Sequence, residues 1–212
     1  MNDDLELCLQ PTHLIDSDSQ IVIDKAIELT HDLDTTSAKA QRLFYYVRDS
    51  IGYNPYVQMA DIEAFQASIV MQKGKGFCIH KAIVLAALAR VVGIPSKLVF
   101  ANIKNHRSPE KLMQLMKTDL FVYHGYTELY VDGKWLKVTP SFDLALCEEN
   151  DIIPTEFDGK NHAVLHKYDR QGRLHIEYIT YHGSFADVPI MDMLQAWSES
   201  YGHMLGNVNS SQ

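Results

Sequence analysis

One segment joins a glycine-rich loop to a long apolar run, and it constrains the fold more than any other part of the chain. Its sequence runs Gly74-Lys-Gly-Phe-Cys-Ile-His-Lys-Ala-Ile-Val-Leu-Ala-Ala-Leu-Ala-Arg-Val-Val-Gly-Ile-Pro95. The apolar run predicts a buried helix that begins at Phe77 or Cys78 and stops before Gly93. Cys78 then lies in the first turn, where the positive end of the helix dipole favours the thiolate form.

The position of Cys78 supports two interpretations. A thiolate is the nucleophile of cysteine chemistry, which makes Cys78 a candidate catalytic residue. Free cysteine also fills protein cores as a small apolar side chain, and position alone leaves both interpretations open. Cys8 and Cys147 lack the glycine-rich loop, so we interpret them as structural. Three scattered cysteines without a CxxC pattern argue against a disulfide framework and a zinc site, and they fit a reducing cytosol.

The periodicity of the chain places helices first and strands second. Apolar residues at helical spacing predict helices over residues 21–31, 38–51, 61–71, 78–92 and, in part, 187–201. Alternating residues predict extended segments over residues 5–11, 97–103, 123–131, 134–138 and 174–181. This order is typical of an α+β domain and not of alternating βαβ units. We expect a single domain over residues 1–212.

Charge and hydropathy exclude several functional classes. The net charge is -8, which disfavours a nucleic-acid partner because phosphate binding needs a basic surface. No apolar run reaches the roughly 18 residues of a membrane span, and the acidic N-terminus does not resemble a secretory signal. We therefore expect a cytoplasmic protein that acts without a membrane or a cofactor.

A second segment carries a histidine at the start of a strand. It runs from Tyr123 to Trp135 and alternates up to a turn at Asp132-Gly133. On a strand, His124, Tyr126 and Glu128 share one face. A lone histidine of this kind is otherwise a surface residue on an edge strand.

Together, the two segments resemble the core motif of the transglutaminase-like superfamily. The resemblance covers about residues 70–145 and implies a papain-like α+β fold, in which a helix that bears the nucleophile packs on an antiparallel sheet. The N-terminal helices and a C-terminal extension would pack on this core. The resemblance also implies that Cys78 is the nucleophile and that His124 is the general base.

The chain departs from this family where a third catalytic residue is expected. The family usually has an aspartate at the position of Thr139, and that third group would orient the imidazole and stabilise its charged form. Asp143 is the first candidate for the role, although it can equally cap the following helix or loop. Thr139 itself, Glu128 or a water molecule are the alternatives.

The oxyanion of an acyl-transfer reaction also needs donors. The backbone N–H of Cys78 is one candidate, because N–H groups at a helix start are unpaired. Gln72 is the other, since its spacing to the cysteine resembles that of papain-type proteases. Gln72 is otherwise an ordinary residue at a helix end.

These residues predict cysteine-dependent acyl transfer or amide hydrolysis through a covalent thioester. The small, bacterial-looking chain without an accessory β-sandwich favours a peptidase or amidase that acts on a peptide or another amide. The alternative is a non-catalytic module that binds a peptide or small ligand on the same fold. A weaker third option is a metal-dependent hydrolase through His162 and His166, although their segment predicts turns and strands. The oligomeric state stays open.

Overall fold

The fold is described by a computed structural model that covers residues 3–57 and 61–203. Its helices are α1 (Asp3–Leu7), α2 (Gln20–Thr30), α3 (Thr36–Ser50), α4 (Ala67–Lys73), α5 (Cys78–Val91), α6 (Glu110–Met116), α7 (Leu144–Glu149) and α8 (Ile190–Tyr201). Its strands are β1 (Gly52–Tyr53), β2 (Lys75–Gly76), β3 (Ser96–Asn105), β4 (Leu120–Val131), β5 (Lys134–Val138) and β6 (Ile176–Phe185). A short 3-10 turn at Glu63–Phe65 precedes α4.

The main sheet is antiparallel and has the strand order β5-β4-β3-β6. The β4–β5 hairpin forms because Asp132 and Gly133 both adopt positive φ at its turn, 48° and 84°. The C-terminal strand β6 pairs with β3, so the last third of the described chain completes the sheet. A separate parallel pair, β1 and β2, fastens the loop that leads into α5.

Helix α5 lies at the centre of the molecule. Every residue from Cys78 to Arg90 is buried, as the continuous apolar sequence predicts. Lys81 and Arg90 are the charged residues of this stretch, and the Arg90 guanidinium donates to the Ser96 hydroxyl and to the carbonyls of Ser96, Gln10 and Ala186. Arg90 therefore joins the N-terminal and C-terminal segments to the end of the central helix.

Two apolar clusters lie on opposite faces of the sheet. The larger cluster joins α2, α3, α4 and α5 to the sheet face that includes Phe100 and Leu129. The smaller one covers the other face with segments from the second half of the chain: Ala101, Ile103, Phe142, Cys147, Ile152, Leu165 and Ile176. Both faces of β3 and β4 are therefore buried near the start of α5.

The predicted fold class is confirmed: the helix that bears Cys78 packs on an antiparallel sheet. The expected extended segment over 5–11 is wrong, because its first residues belong to α1. The helix expected over 61–71 is divided into the 3-10 turn and α4. The predicted domain over 1–212 includes residues 1–2, 58–60 and 204–212, which lie outside the described residues. Within the described ranges, no helix has both the length and the apolar character that a membrane span requires.

Candidate active site

The backbone around Cys78 is fixed by close glycine contacts and a side-chain cap. The parallel β1–β2 pair holds the preceding loop, with Asn54 N donating to Gly76 O at 2.9 Å. A Cβ at Gly76 would lie 2.5 Å from the Cβ of His80, so only glycine fits there. The Nδ1 atom of buried His80 accepts from Phe77 N at 3.4 Å and thereby caps the helix start. These contacts place Cys78 at the first turn, as the sequence predicts.

His124 follows an irregular point in β4. The β3–β4 register shifts between Ala101 and Ile103, and Tyr123 adopts a φ of 57° in the left-handed region. The Asn102 side-chain oxygen accepts from Tyr123 N at 3.1 Å and from His182 Nε2 at 2.7 Å. The rings of Tyr123 and His182 stack with centroids 4.2 Å apart. This backbone strain is typical of functional sites, where it aims one side chain.

Cys78 and His124 line the same cavity, which has a volume of about 60 Å³. Its other walls are apolar and aromatic and come from α6, α8, β4 and the residue before α5: Leu112, Met116, Trp197, Tyr201, Phe121 and Phe77 among them. The structure thus brings together the two residues that the sequence singled out. It also encloses them, since Cys78 is 9% exposed and His124 is 4% exposed.

Burial sets the protonation of both residues. It raises the pKa of the Cys78 thiol to about 11, although the nearby N–H groups of Gly125, Ile79 and Cys78 itself oppose the rise. Burial also lowers the pKa of His124 to about 3. At neutral pH, the pair is therefore a thiol beside an uncharged imidazole. Burial outweighs the helix-dipole effect that the sequence led us to expect.

Asp143 is engaged away from His124. Its carboxylate accepts from Leu146 N and from Tyr53 N, both at 2.9 Å, so it caps α7. No hydrogen bond or ion pair joins Asp143 to His124 in the described part of the chain. Asp143 instead helps to raise the pKa of Lys81, although burial lowers it overall to about 7. Of the two roles considered for Asp143, the structure shows the capping role.

The remaining candidates for the third catalytic group and for the oxyanion donor differ in burial and in hydrogen bonding. Thr139 is fully buried, and its hydroxyl has no hydrogen-bond partner among the described residues. Glu128 accepts from the Ser184 hydroxyl at 2.6 Å. Gln72 lies exposed on α4 and is not among the cavity residues. Of the two candidate oxyanion donors, only the backbone N–H of Cys78 therefore belongs to a residue that lines the cavity.

The two histidines considered for a metal do not share a helix face. His162 and His166 lie in a segment without helix, and His162 Nδ1 accepts from Lys137 N at 3.0 Å. Among residues 3–57 and 61–203, no group of three or more His, Cys, Asp or Glu side chains is placed to hold a metal ion.

Two features of the site were missed in the sequence. Trp197 and Tyr201 in α8 wall the cavity and hold the start of β4: Trp197 Nε1 donates to Val122 O at 3.1 Å, and Tyr201 hydroxyl donates to Leu120 O at 2.8 Å. Their spacing with buried Met193 indicates one face of a helix, which was the available signal. Lys81 in α5 is fully buried, and its ammonium group donates to Arg48 O at 2.9 Å.

Comparison with known proteins gives one family and two solved structures. The model of the Transglutaminase-like superfamily matches residues 23–140. A "putative cysteine protease" from Cytophaga hutchinsonii is similar in structure, with a TM-score of 0.52, 13% sequence identity, and coverage of 87% of this chain and 55% of that chain. A "putative protease" from Parabacteroides distasonis has a TM-score of 0.42 and 18% identity over 61% of this chain and 29% of that chain. No curated protein sequence matches.

These comparisons differ in what they support. The family match includes both Cys78 and His124 and confirms the resemblance noted in the sequence. The Cytophaga structure supports the fold, and this chain spans about half of that protein's length.

Proposed function

Because the chain belongs to the Transglutaminase-like superfamily, we propose that it is a cysteine peptidase or amidase with Cys78 as nucleophile and His124 as general base. The observation that carries this proposal is the cavity that the two side chains share. The protein would cleave an amide through a covalent thioester, and no cofactor takes part in the steps proposed.

The neutral state of the pair determines the first step. His124 accepts the thiol proton while the sulfur of Cys78 attacks the amide carbonyl. The backbone N–H of Cys78 donates to the oxyanion that forms. The C–N bond then breaks, and His124 returns its proton to the leaving amine. Water then attacks the thioester and gives one proton to His124; the C–S bond breaks, the acid is released, and His124 returns that proton to the sulfur of Cys78.

The cavity supports an aliphatic residue on the acyl side of the cleaved bond. Its walls are apolar, including Leu112 and Met116 from α6 and Trp197 from α8. About 10–15 Å³ of such space is the least that holds one water molecule, so a cavity of about 60 Å³ is small. It suits an aliphatic side chain such as Leu, Ile or Met better than the larger ring system of Phe or Trp.

An adjoining groove supports a peptide as the substrate. A second cavity of about 280 Å³ shares the walls Tyr53, Pro55, Leu112 and Phe121 with the first. Its more polar side chains are Asn54, Asn105, Arg107 and Asn150. Amide side chains of this kind suit the N–H and C=O groups of an extended peptide.

The proposal is tested with peptidyl vinyl sulfones, which alkylate a thiol at the position of the scissile carbonyl. We expect a covalent adduct on Cys78, detected by peptide mass spectrometry, that forms faster with Leu than with Phe at the acyl position. Cys8→Ala and Cys147→Ala are the matched controls, since both cysteines are fully buried and should leave the adduct unchanged. Equal labelling of all three cysteines, or labelling of Cys78 that His124→Ala does not slow, would refute the catalytic pair.

A non-catalytic binding module is the second candidate, and one observation favours it. Burial holds Cys78 and His124 in their uncharged forms, and only burial acts on the pKa of His124. Such a pair would bind a peptide without modifying it. In that case, Cys78→Ala would bind an amide peptide as tightly as the wild type in calorimetry, and prolonged incubation would leave the peptide intact.

A further inference from the structure

Half of the buried polar side-chain atoms that lack a partner in the described part of the chain belong to His124, Tyr126, Thr139 and Tyr178. Among the described residues, Nε2 of His124 and the hydroxyls of Tyr126, Thr139 and Tyr178 are buried and make no hydrogen bond of normal geometry. Folded proteins pair nearly all such atoms, so several in one place indicate a site that needs explanation. We call Tyr126, Thr139 and Tyr178 the hydroxyl cluster.

Contacts show that the hydroxyl cluster is a single group. The ring centroids of His124 lie 6.2 Å from those of Tyr126 and 6.3 Å from those of Tyr178, and the two tyrosines are 6.3 Å apart. Burial raises the pKa of Tyr178, and its contacts with Leu165 N–H and the Thr139 hydroxyl oppose that rise. Thr139 also continues β5 past the Thr127–Val138 pair, which brings it beside Tyr126.

No carboxylate takes part in this cluster. Glu128 is the nearest acid along the strand, and it accepts from Ser184. Asp143 is held by Tyr53 N and Leu146 N. The pKa of His124 is lowered by burial without an opposing charge, which agrees with this geometry.

We infer that the hydroxyls of Tyr126, Thr139 and Tyr178 hold His124 in place of an acid and fix the hydrogen on Nε2. This inference rests on the proposed function, because it names the positioning residue of the same site. Nε2 is buried and meets no hydrogen-bond partner within the described residues, which leaves Nδ1 as the ring nitrogen to accept the proton of Cys78. Nε2–H then donates to a hydroxyl oxygen, directly or through one water molecule, as Nδ1 gains its proton.

When His124 accepts the thiol proton, its imidazolium charge forms beside uncharged hydroxyl groups and not beside a carboxylate. A hydroxyl accepts the Nε2–H bond but supplies no negative charge to the imidazolium. The resting pair therefore stays uncharged, and the proton moves only during attack on the substrate. A carboxylate at the same position would instead favour the thiolate–imidazolium pair before substrate binds.

Histidine nitrogen NMR tests this inference without an assay of turnover. We expect ¹⁵N shifts of the Nε2–H tautomer for His124 at pH 7, with the resonance assigned through His124→Gln. Thr139→Val should replace it with a mixture of tautomers, and Thr139→Ser should restore it because the hydroxyl returns. Thr139→Asp should raise the pKa of His124 by about 1–3 units.

Thr127→Val is the matched control. Thr127 is also fully buried on β4, but its hydroxyl donates to Ala82 O at 3.0 Å on the opposite face. We expect it to leave the His124 tautomer unchanged. Thermal unfolding of each variant identifies any that fails to fold. If Thr139→Val is one of them, Thr139→Ser and Thr139→Asp are compared with the wild type.

Alkylation of Cys78 by iodoacetamide separates the two proposals. Thr139→Val should slow it roughly 3- to 10-fold at pH 7, the effect of one lost hydrogen bond, and Thr139→Ser should restore it. If Cys78 is inert in every variant while the tautomer still depends on Thr139, the proposed function fails and the cluster stands. If neither the tautomer nor the alkylation rate changes in Thr139→Val, the inference about the cluster is overturned.

Discussion

The two faces of β4 bury their polar groups in different ways. On the helix side, the Thr127 hydroxyl is paired with Ala82 O, and Gly125 allows Ile79 to approach closely. On the other side, His124 and its tyrosine and threonine neighbours are buried without full pairing. One strand thus carries a tightly packed face that fixes the fold and an incompletely satisfied face that is suited to chemistry.

This difference implies that stability and reactivity can be changed separately. Substitutions on the helix side should lower the free energy of unfolding, because the close packing there leaves no space for a larger side chain. Substitutions in the hydroxyl cluster should change the tautomer and reactivity of His124 with a smaller loss of stability, because these hydroxyls make no hydrogen bond of normal geometry within the described residues. Each prediction below tests one part of that division.

Lowering the pH should reduce the free energy of unfolding more than any of the substitutions that follow. Burial lowers the pKa of His80 and His124 to about 3 and that of His175 to about 4. Their folded pKa values lie below the unfolded value of about 6.5, so the unfolded chain binds more protons as the pH falls. Each of these histidines then lowers the free energy of unfolding by about 1.4 kcal/mol for every pH unit below pH 6.5.

Urea unfolding between pH 8 and pH 4 measures this effect. We expect constant stability above about pH 7 and a steep loss below it, with unfolding before roughly pH 4. His80→Gln should reduce the slope by about the contribution of one histidine. A stability that stays flat down to pH 5 would show that these histidines are not buried in their neutral form.

Gly125→Ala should be the most damaging single change on the helix side. A Cβ at this position would lie 2.9 Å from Ile79 Cγ1 and 3.3 Å from Ile79 Cα, and the latter is backbone that cannot turn away. Overpacking of this kind costs about 1–3 kcal/mol. Urea denaturation of the variant measures the loss, and an unchanged midpoint would mean that the helix does not approach the strand so closely.

The two buried threonines give the smallest and sharpest comparison. Thr127→Val removes a paired hydroxyl and should cost about 0.5–1.5 kcal/mol. Thr139→Val removes a hydroxyl that makes no hydrogen bond of normal geometry within the described residues, so it should cost less than Thr127→Val even if the proposed contact with His124 Nε2–H is lost. Urea denaturation of both variants under the same conditions measures the two losses of unfolding free energy. Equal losses would contradict the division between the faces.

The sequence predicted the parts of the site that local pattern determines. Cys78 at a helix start and His124 on a strand follow from glycine placement and periodicity within short segments. The depth of Lys81 did not follow, because its burial depends on the Arg48 carbonyl in another helix. The capping by Asp143 was one of two local options, and only the packed structure distinguishes them.

The hydroxyl cluster could not be predicted from local sequence patterns, because its residues come from segments that are far apart in the chain. Tyr178 belongs to β6, which joins the sheet beside β3 from far along the chain. Its approach to Thr139 depends on sheet order and on the segment that contains Leu165. The walls from α8 were missed for the same reason, since helical spacing predicts a buried face but not its partner.

The pH dependence of Cys78 alkylation, in the wild type and in His124→Ala, tests the catalytic pair most directly. The wild type should react at a nearly constant rate from about pH 6.5 to pH 9, because uncharged His124 takes the thiol proton throughout that range. His124→Ala should react slowly at pH 7, and its rate should rise about tenfold per pH unit towards the thiol pKa of about 11. Parallel profiles that rise together in both proteins would show that His124 does not act on Cys78, and would contradict the assignment of this pair as the active site.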